Sequence, residues 1–179
     1  MITSLTPTAT LTGAGETIEF ENGLMKRSDM TGFLYSDCTL YFAGDDGMLH
    51  RVTRMVPYYE ARNVRFIIHQ LMAGSQKDDS TEKLQSVLPK GLREADLLGV
   101  TMDGDTLVLH FSEQLAILSK GMGQQQERNM VYAMVNSLCE LPYVKKVRFM
   151  VNGGQPEALV GYLYLPGNFL PNPDIVSDK

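Results

Sequence analysis

Cysteine is scarce in this 179-residue chain: Cys38 and Cys139 are its only two, about a hundred residues apart and outside any CxxC pair. Two such residues make neither a disulfide framework nor a linear zinc motif. Free cysteine is among the most buried residue types, so both read as inert core thiols. Long apolar runs are missing too. No stretch approaches the roughly 18 to 20 uninterrupted residues that a membrane helix needs. The beginning, MITSLTPTATLTGAGE, has neither a basic n-region nor an apolar h-region. The chain therefore reads as soluble, and its Thr-rich start is compatible with a secreted or anchored parent protein whose signal segment lies outside the sequence. Charge of one sign never accumulates: 16 basic against 21 acidic residues leave a net charge of −5. That balance argues against a general phosphate-binding surface and against nucleic acid as a partner. The three histidines, His50, His69 and His110, are too far apart for local ligand spacing, and HExxH is absent. No metal or cofactor is expected.

What is present is an ordinary globular composition, 44% apolar, and a length suited to one domain with a tail. Residues 1–35 read as a linker or arm, with a short alternation at Ile18 and Phe20 that could add one edge strand. Residues 36–176 form a single domain. CTLYFA alternates Leu40 and Phe42 against Thr39 and Tyr41, GDDG turns the chain, and MLHRVTRMV returns until Pro57, which together make a hairpin. From Glu60 the period changes, because Val64, Ile67, Ile68, Leu71 and Met72 line one helix face that stops at Gly74. A polar span leads to Pro89 and Gly91. DLLGVTM and TLVLHF flank an Asp-Gly step, a strong short-range hairpin signal. A second helix starts within GQQQERN and carries Met130, Met134, Leu138 and Leu141 on one stripe before Pro142 ends it. In VKKVRFMV, Val147, Phe149 and Val151 point inward and Lys146 and Arg148 outward. NGGQPE then turns into a last strand, ALVGYLYL.

Candidate chemistry is thin. His110, Ser112 and an acid such as Asp105 could be imagined as a triad, but no nucleophile elbow accompanies them. Glu94 and Asp96 share a parity, as paired acids on a loop also do for solvation. GAG at 13–15 lacks the GK[ST] of a phosphate loop. Lys145, Lys146 and Arg148 read either as a basic surface for an anionic partner or as charges that keep a strand edge from pairing wrongly.

The order of local patterns resembles one family, the GerM or GerMN domain of sporulation and spore germination proteins. LYF at 40–42, RMVP at 54–57, LMAGS at 71–75, LPKG at 88–91 and DGDTLVLHFS at 103–112 carry the resemblance. VYAMVNSLCELPYVKKVRFMVNGG from 131 and LVGYLYL at 159–165 complete it. The family pattern falls on Leu40, Phe42, Arg54, Pro57, Leu71, Gly74, Pro89, Gly91, Phe111, Asn136, Leu138, Val147, Phe149, Gly153 and Gly161. Departures are Ser75 where the family often has Pro, Ser137 and Cys139 where it has Thr, and a single copy of a domain that some relatives carry in tandem. The resemblance implies an α+β fold, with a mixed or antiparallel sheet of about four to six strands and two main helices packed on one face, as in ring-building modules. It further implies an extracytoplasmic module, anchored or secreted, without catalytic residues. That module would assemble with other envelope proteins or with itself, and would meet a membrane only through an anchor outside this chain. Peptidoglycan or small-ligand binding is the alternative.

Overall fold

The computed structural model describes residues 34–77, 79 and 83–178, together with the backbone of three short strands ahead of them. Those three, β1 (Thr10–Gly13), β2 (Glu16–Glu21) and β3 (Leu24–Met25), pair antiparallel as a sheet of their own. The alternation at Ile18 and Phe20 falls in β2, and the remainder of residues 1–33 lies outside the described residues.

The domain opens on β4 (Tyr35–Ala43) and β5 (Leu49–Pro57), paired antiparallel along their whole length. Directly opposed residues share a face. Cys38 lies opposite Arg54, Leu40 opposite Val52 and Phe42 opposite His50, so this core face carries an arginine and a buried histidine among buried apolar side chains. Helix α1 (Val64–Ala73) starts on Asn63, whose side chain accepts hydrogen bonds from the N–H groups of Arg65 and Phe66. It buries Ile67, Ile68 and Leu71 and stops at Gly74. Gly74 has φ 85° and ψ −174°, a region that is essentially glycine's alone. A Cβ there would also stand 2.2 Å from Ser86 Oγ. Gly74→Ala is expected to cost about 1–3 kcal/mol, read as a lower urea midpoint at unchanged slope.

β6 (Leu97–Asp103) and β7 (Thr106–Phe111) form the second hairpin, with a bulge between Leu97 and Gly99. The chain then crosses through α2 (Gln114–Ser119) and α3 (Gln124–Cys139), and β8 (Lys146–Val151) runs parallel to β7. On α3, Met130, Val131, Ala133, Met134, Val135 and Leu138 have no exposed surface. Burying those six contributes on the order of 10 kcal/mol before entropy is subtracted. α3 packs on β4, on β8 and on α1. The α+β class stands, with the five strands of the domain divided into a two-stranded and a three-stranded sheet that share this one helix.

The strand expected at 159–165 does not form; the segment is irregular. The outer edge of β8 is already taken, since Val147 donates to Phe169 at 2.9 Å and accepts from it at 2.8 Å. The tail is strapped down by Asn136. Its side-chain oxygen accepts from Asn172 N–H at 2.9 Å, and its NH2 donates to the Asn172 carbonyl at 3.1 Å.

Candidate partner surface

The helices pack on the face of the second sheet that bears Leu107, Leu109, Phe111, Val147 and Phe149, all fully or nearly fully buried. The opposite face bears Thr101 and Asp103 on β6, Val108 and His110 on β7, and Lys146, Arg148 and Met150 on β8. Thr101 and Asp103 are exposed; Lys146, Arg148 and Met150 are half-buried. Among the described residues no helix lies across this face. Its bases are not an uncompensated patch. Arg148 donates to Asp103 Oδ2 at 3.1 Å and to Asn168 Oδ1 at 2.8 Å, and Lys146 Nζ stands 3.6 Å from Asp105 Oδ1. The two aspartates come from the 103–106 turn, which the parallel register of β7 and β8 brings beside the start of β8. The face is therefore charge-balanced, with Lys145 exposed at its end. Surface pairs of this kind contribute about 0–1 kcal/mol each, so they shape the surface far more than they hold the fold.

The groups considered as a triad have different partners. His110 Nε2 meets Thr101 Oγ1 at 2.9 Å, whereas Ser112 donates its hydroxyl to Asp96 Oδ1 at 3.0 Å. Asp96 also accepts the Arg93 N–H at 2.9 Å. That bond holds its carboxyl below the usual carboxylate range against the opposing effect of burial, with help from Ser112. Glu94 faces His69 at 3.4 Å. Neither cysteine forms a disulfide. Burial pushes both thiols up to about 11, with the charge of Arg54 opposing the shift at Cys38 and that of Lys145 opposing it at Cys139. Both are thus protonated and unreactive at neutral pH.

Most residues of the family pattern lie in the core or at turns. Leu40, Phe42, Leu71, Phe111, Leu138, Val147 and Phe149 are core. Pro57 closes β5 opposite Tyr35, and Pro89 is buried ahead of the Gly91 turn. Gly91, Gly153 and Gly161 all hold positive φ. Arg54 is different. From the core face of β5 it donates to Asp79 Oδ1 at 2.8 Å and Oδ2 at 2.5 Å, to Gln70 Oε1 at 2.7 Å and to the Gly74 carbonyl at 3.0 Å, while stacking over Phe42. Sequence reasoning missed Glu127 altogether. Fully buried on α3, its carboxylate accepts the N–H groups of Val160, Gly161, Tyr162 and Leu163.

A family model described as Germane, sporulation and spore germination, matches residues 39–157. Among solved structures, a candidate lipoprotein from Clostridium perfringens is 19% identical with a TM-score of 0.51, over 77% of this chain and 89% of that one. The first GerMN domain of the sporulation protein GerM from Bacillus subtilis is 18% identical with a TM-score of 0.52, over 80% of this chain and 98% of that one. The tandem GerMN domains of the same protein are 16% identical with a TM-score of 0.57; 81% of this chain is matched, spanning 49% of the tandem. At these identities the likeness is one of fold. A comparison with curated proteins gives no match.

Proposed function

The chain belongs to the Germane family of sporulation and spore germination, and we propose that it works as a non-enzymatic, extracytoplasmic protein–protein assembly module of an envelope complex. The observation that carries this reading is the charge-balanced outer face of the second sheet, crossed by no helix among the described residues, where the Arg148–Asp103 and Lys146–Asp105 pairs alternate in sign. Such a face fits a protein partner with the complementary alternation, and it fixes register and rejects wrong partners more than it adds raw affinity. The separate partnering of His110 and Ser112 favours a binding role over hydrolysis. The envelope setting draws support from the C. perfringens lipoprotein that shares the fold.

Crosslinking in envelopes of sporulating cells, through a photoreactive group at exposed Thr101, tests the reading. Discrete envelope proteins are the expected products, and the yield should fall severalfold when Lys146 and Arg148 are both changed to Glu. The two pairs together are worth about 0–2 kcal/mol, so the double change should leave the domain folded. Recovery of soluble cytoplasmic proteins alone would sink the proposal, and an unaffected yield would remove the sheet face from it.

Cell-wall binding is the second reading. It has one observation in its favour: Tyr35, Tyr58 and Tyr143 are exposed at one end of the molecule, where Arg62 stacks over Tyr58 at 3.9 Å and its carbonyl accepts from the Tyr143 hydroxyl. Cosedimentation with purified peptidoglycan, lost on Tyr58→Ala, would support that alternative.

A further inference from the structure

We propose that the small sheet formed by β1, β2 and β3 folds back onto the open end of the first hairpin of the same chain and covers it. The register sorts the residues of that sheet. Leu11 pairs with Ile18 and Phe20 with Met25, and Ile18 and Phe20 are two apart, so all four fall on one face. Gly13 and Glu16 share that face at the turn between β1 and β2, while the threonines, Glu19, Glu21 and Leu24 fall on the other. Strands of four, six and two residues need their apolar face covered if they are to persist in water.

The hairpin supplies a matching surface at the point where the arm joins it. Tyr35 lies opposite Pro57 and Asp37 opposite Met55, on the side of β4 and β5 turned away from Cys38, Leu40 and Val52. At the far end of that side Tyr41 and Leu49 are buried, and Val176 of the tail bridges to Leu49. The near end is open. Met55 is 68% exposed and Tyr59 71%, with Leu34, Tyr35 and Tyr58 close to half exposed. Tyr58 donates its N–H to the Leu34 carbonyl at 2.8 Å, so the chain enters the domain inside this patch. Among the described residues these five are nearly half of the large apolar side chains left exposed, and such a concentration marks an interaction site.

The connecting chain selects the occupant. Nine residues, 26–34, lead from Met25 into the patch, and nine extended residues reach at most about 30 Å. Sheets pack face to face about 10 Å apart, and a strand of six residues spans about 20 Å, so the arm can lie over the Tyr35 and Met55 end without strain. A tether this short holds the arm at a millimolar effective concentration. The arm of a second copy competes only when the protein itself is that concentrated. Docked in this way, the arm hides the tyrosine end offered for cell-wall binding and leaves the outer face of the second sheet free, so the proposal stands apart from the assembly reading.

Peroxide footprinting of the full chain tests this, because methionine oxidation follows exposure. Met55 is more open than Met102 on β6, 68% against 44%, and reacts faster if nothing covers it. The docked arm reverses that order. Ile18→Asp together with Phe20→Asp should speed oxidation of Met55 severalfold and leave Met102 unchanged. The converse variant, Met55→Asp, should speed hydrogen exchange at the β2 amides severalfold, which separates docking from the arm's own stability. All three positions lie outside the domain core, so the domain should melt as wild type does. Met55 oxidising faster than Met102 in the wild type, or β2 exchange indifferent to Met55→Asp, would overturn the proposal. Protection that appears only as the mass rises from 19.9 kDa toward twice that value would overturn it too, since the arm would then sit on a second copy.

Discussion

Replacing Arg54 by Ala is expected to destabilise the domain by roughly 3–5 kcal/mol, the range for removing one partner of a buried ion pair. The Arg54 side chain is 9% exposed and that of Asp79 4%, so the pair is largely shielded from water. Four acceptor atoms lose a donor at once: both carboxylate oxygens of Asp79, Gln70 Oε1 and the Gly74 carbonyl that ends α1. The polar segment after α1 loses its anchor as well, because Asp79 also accepts the Gln76 N–H at 2.6 Å. Removing both charges, as Arg54→Met with Asp79→Leu, should recover part of the loss, since no unpaired buried charge remains. The pH dependence supplies a second reading. Burial pulls the Asp79 carboxyl upward, but the hydrogen bonds from Arg54 and Gln76 and the charge of Arg54 together hold it below its ordinary value of 3.8. A folded-state value below the unfolded one means stability that is present above pH 3.8 and is lost as the pH falls through the folded value. Urea melts of wild type and Arg54→Ala should therefore converge on acidification below about pH 4. A difference that stays constant there would show that Arg54 acts by packing alone.

Arg54 also marks how far the sequence can be read. Its parity with Val52 and Val56 assigns it to the core face of β5, and a charge at a core position requires a partner. Nothing in the polar span that follows α1 distinguishes Asp79 from Asp78, because no local period orients them. The α3 stripe and the two hairpins are legible for the opposite reason. Each is announced by a local signal, the apolar period of the helix or the Asp-Gly turn. Lys146 and Arg148 point outward as the two-residue period requires, but that period says nothing of Asp103 and Asp105. Those reach them only because β8 returns parallel to β7 after a crossover of some thirty-four residues. Cys38 is core, as its strand parity implies, whereas Cys139 sits half-buried at the last turn of α3.

Glu127→Ala should release the 159–165 loop at a cost of about 2–4 kcal/mol, because a buried carboxylate that satisfies several N–H groups cannot be replaced by a methyl group. Each oxygen takes two donors. Oε1 accepts from Val160 at 2.8 Å and Gly161 at 3.4 Å, Oε2 from Tyr162 at 2.8 Å and Leu163 at 2.9 Å. Successive N–H groups can turn to one point only if the backbone leaves the extended form, and Gly161 at φ 125° permits that. The alternation in LVGYLYL suits a strand, but a strand needs a free edge beside it. Phe169 holds the edge of β8, and a buried anion waits on α3 instead. Leu159 and Leu165 are buried at the two ends of the loop, while Tyr162 and Tyr164 are 59% and 73% exposed between them. Chymotrypsin should therefore cut wild type slowly despite those tyrosines and cut Glu127→Ala many times faster after Tyr162 or Tyr164, with the rest of the domain resistant. Glu127→Gln separates charge from volume: it keeps the shape but turns an NH2 toward two N–H donors, so it should be cleaved nearly as fast as the alanine variant. If Gln protected the loop as well as Glu does, filling the space on α3 would be what holds it, and the hydrogen bonds would not.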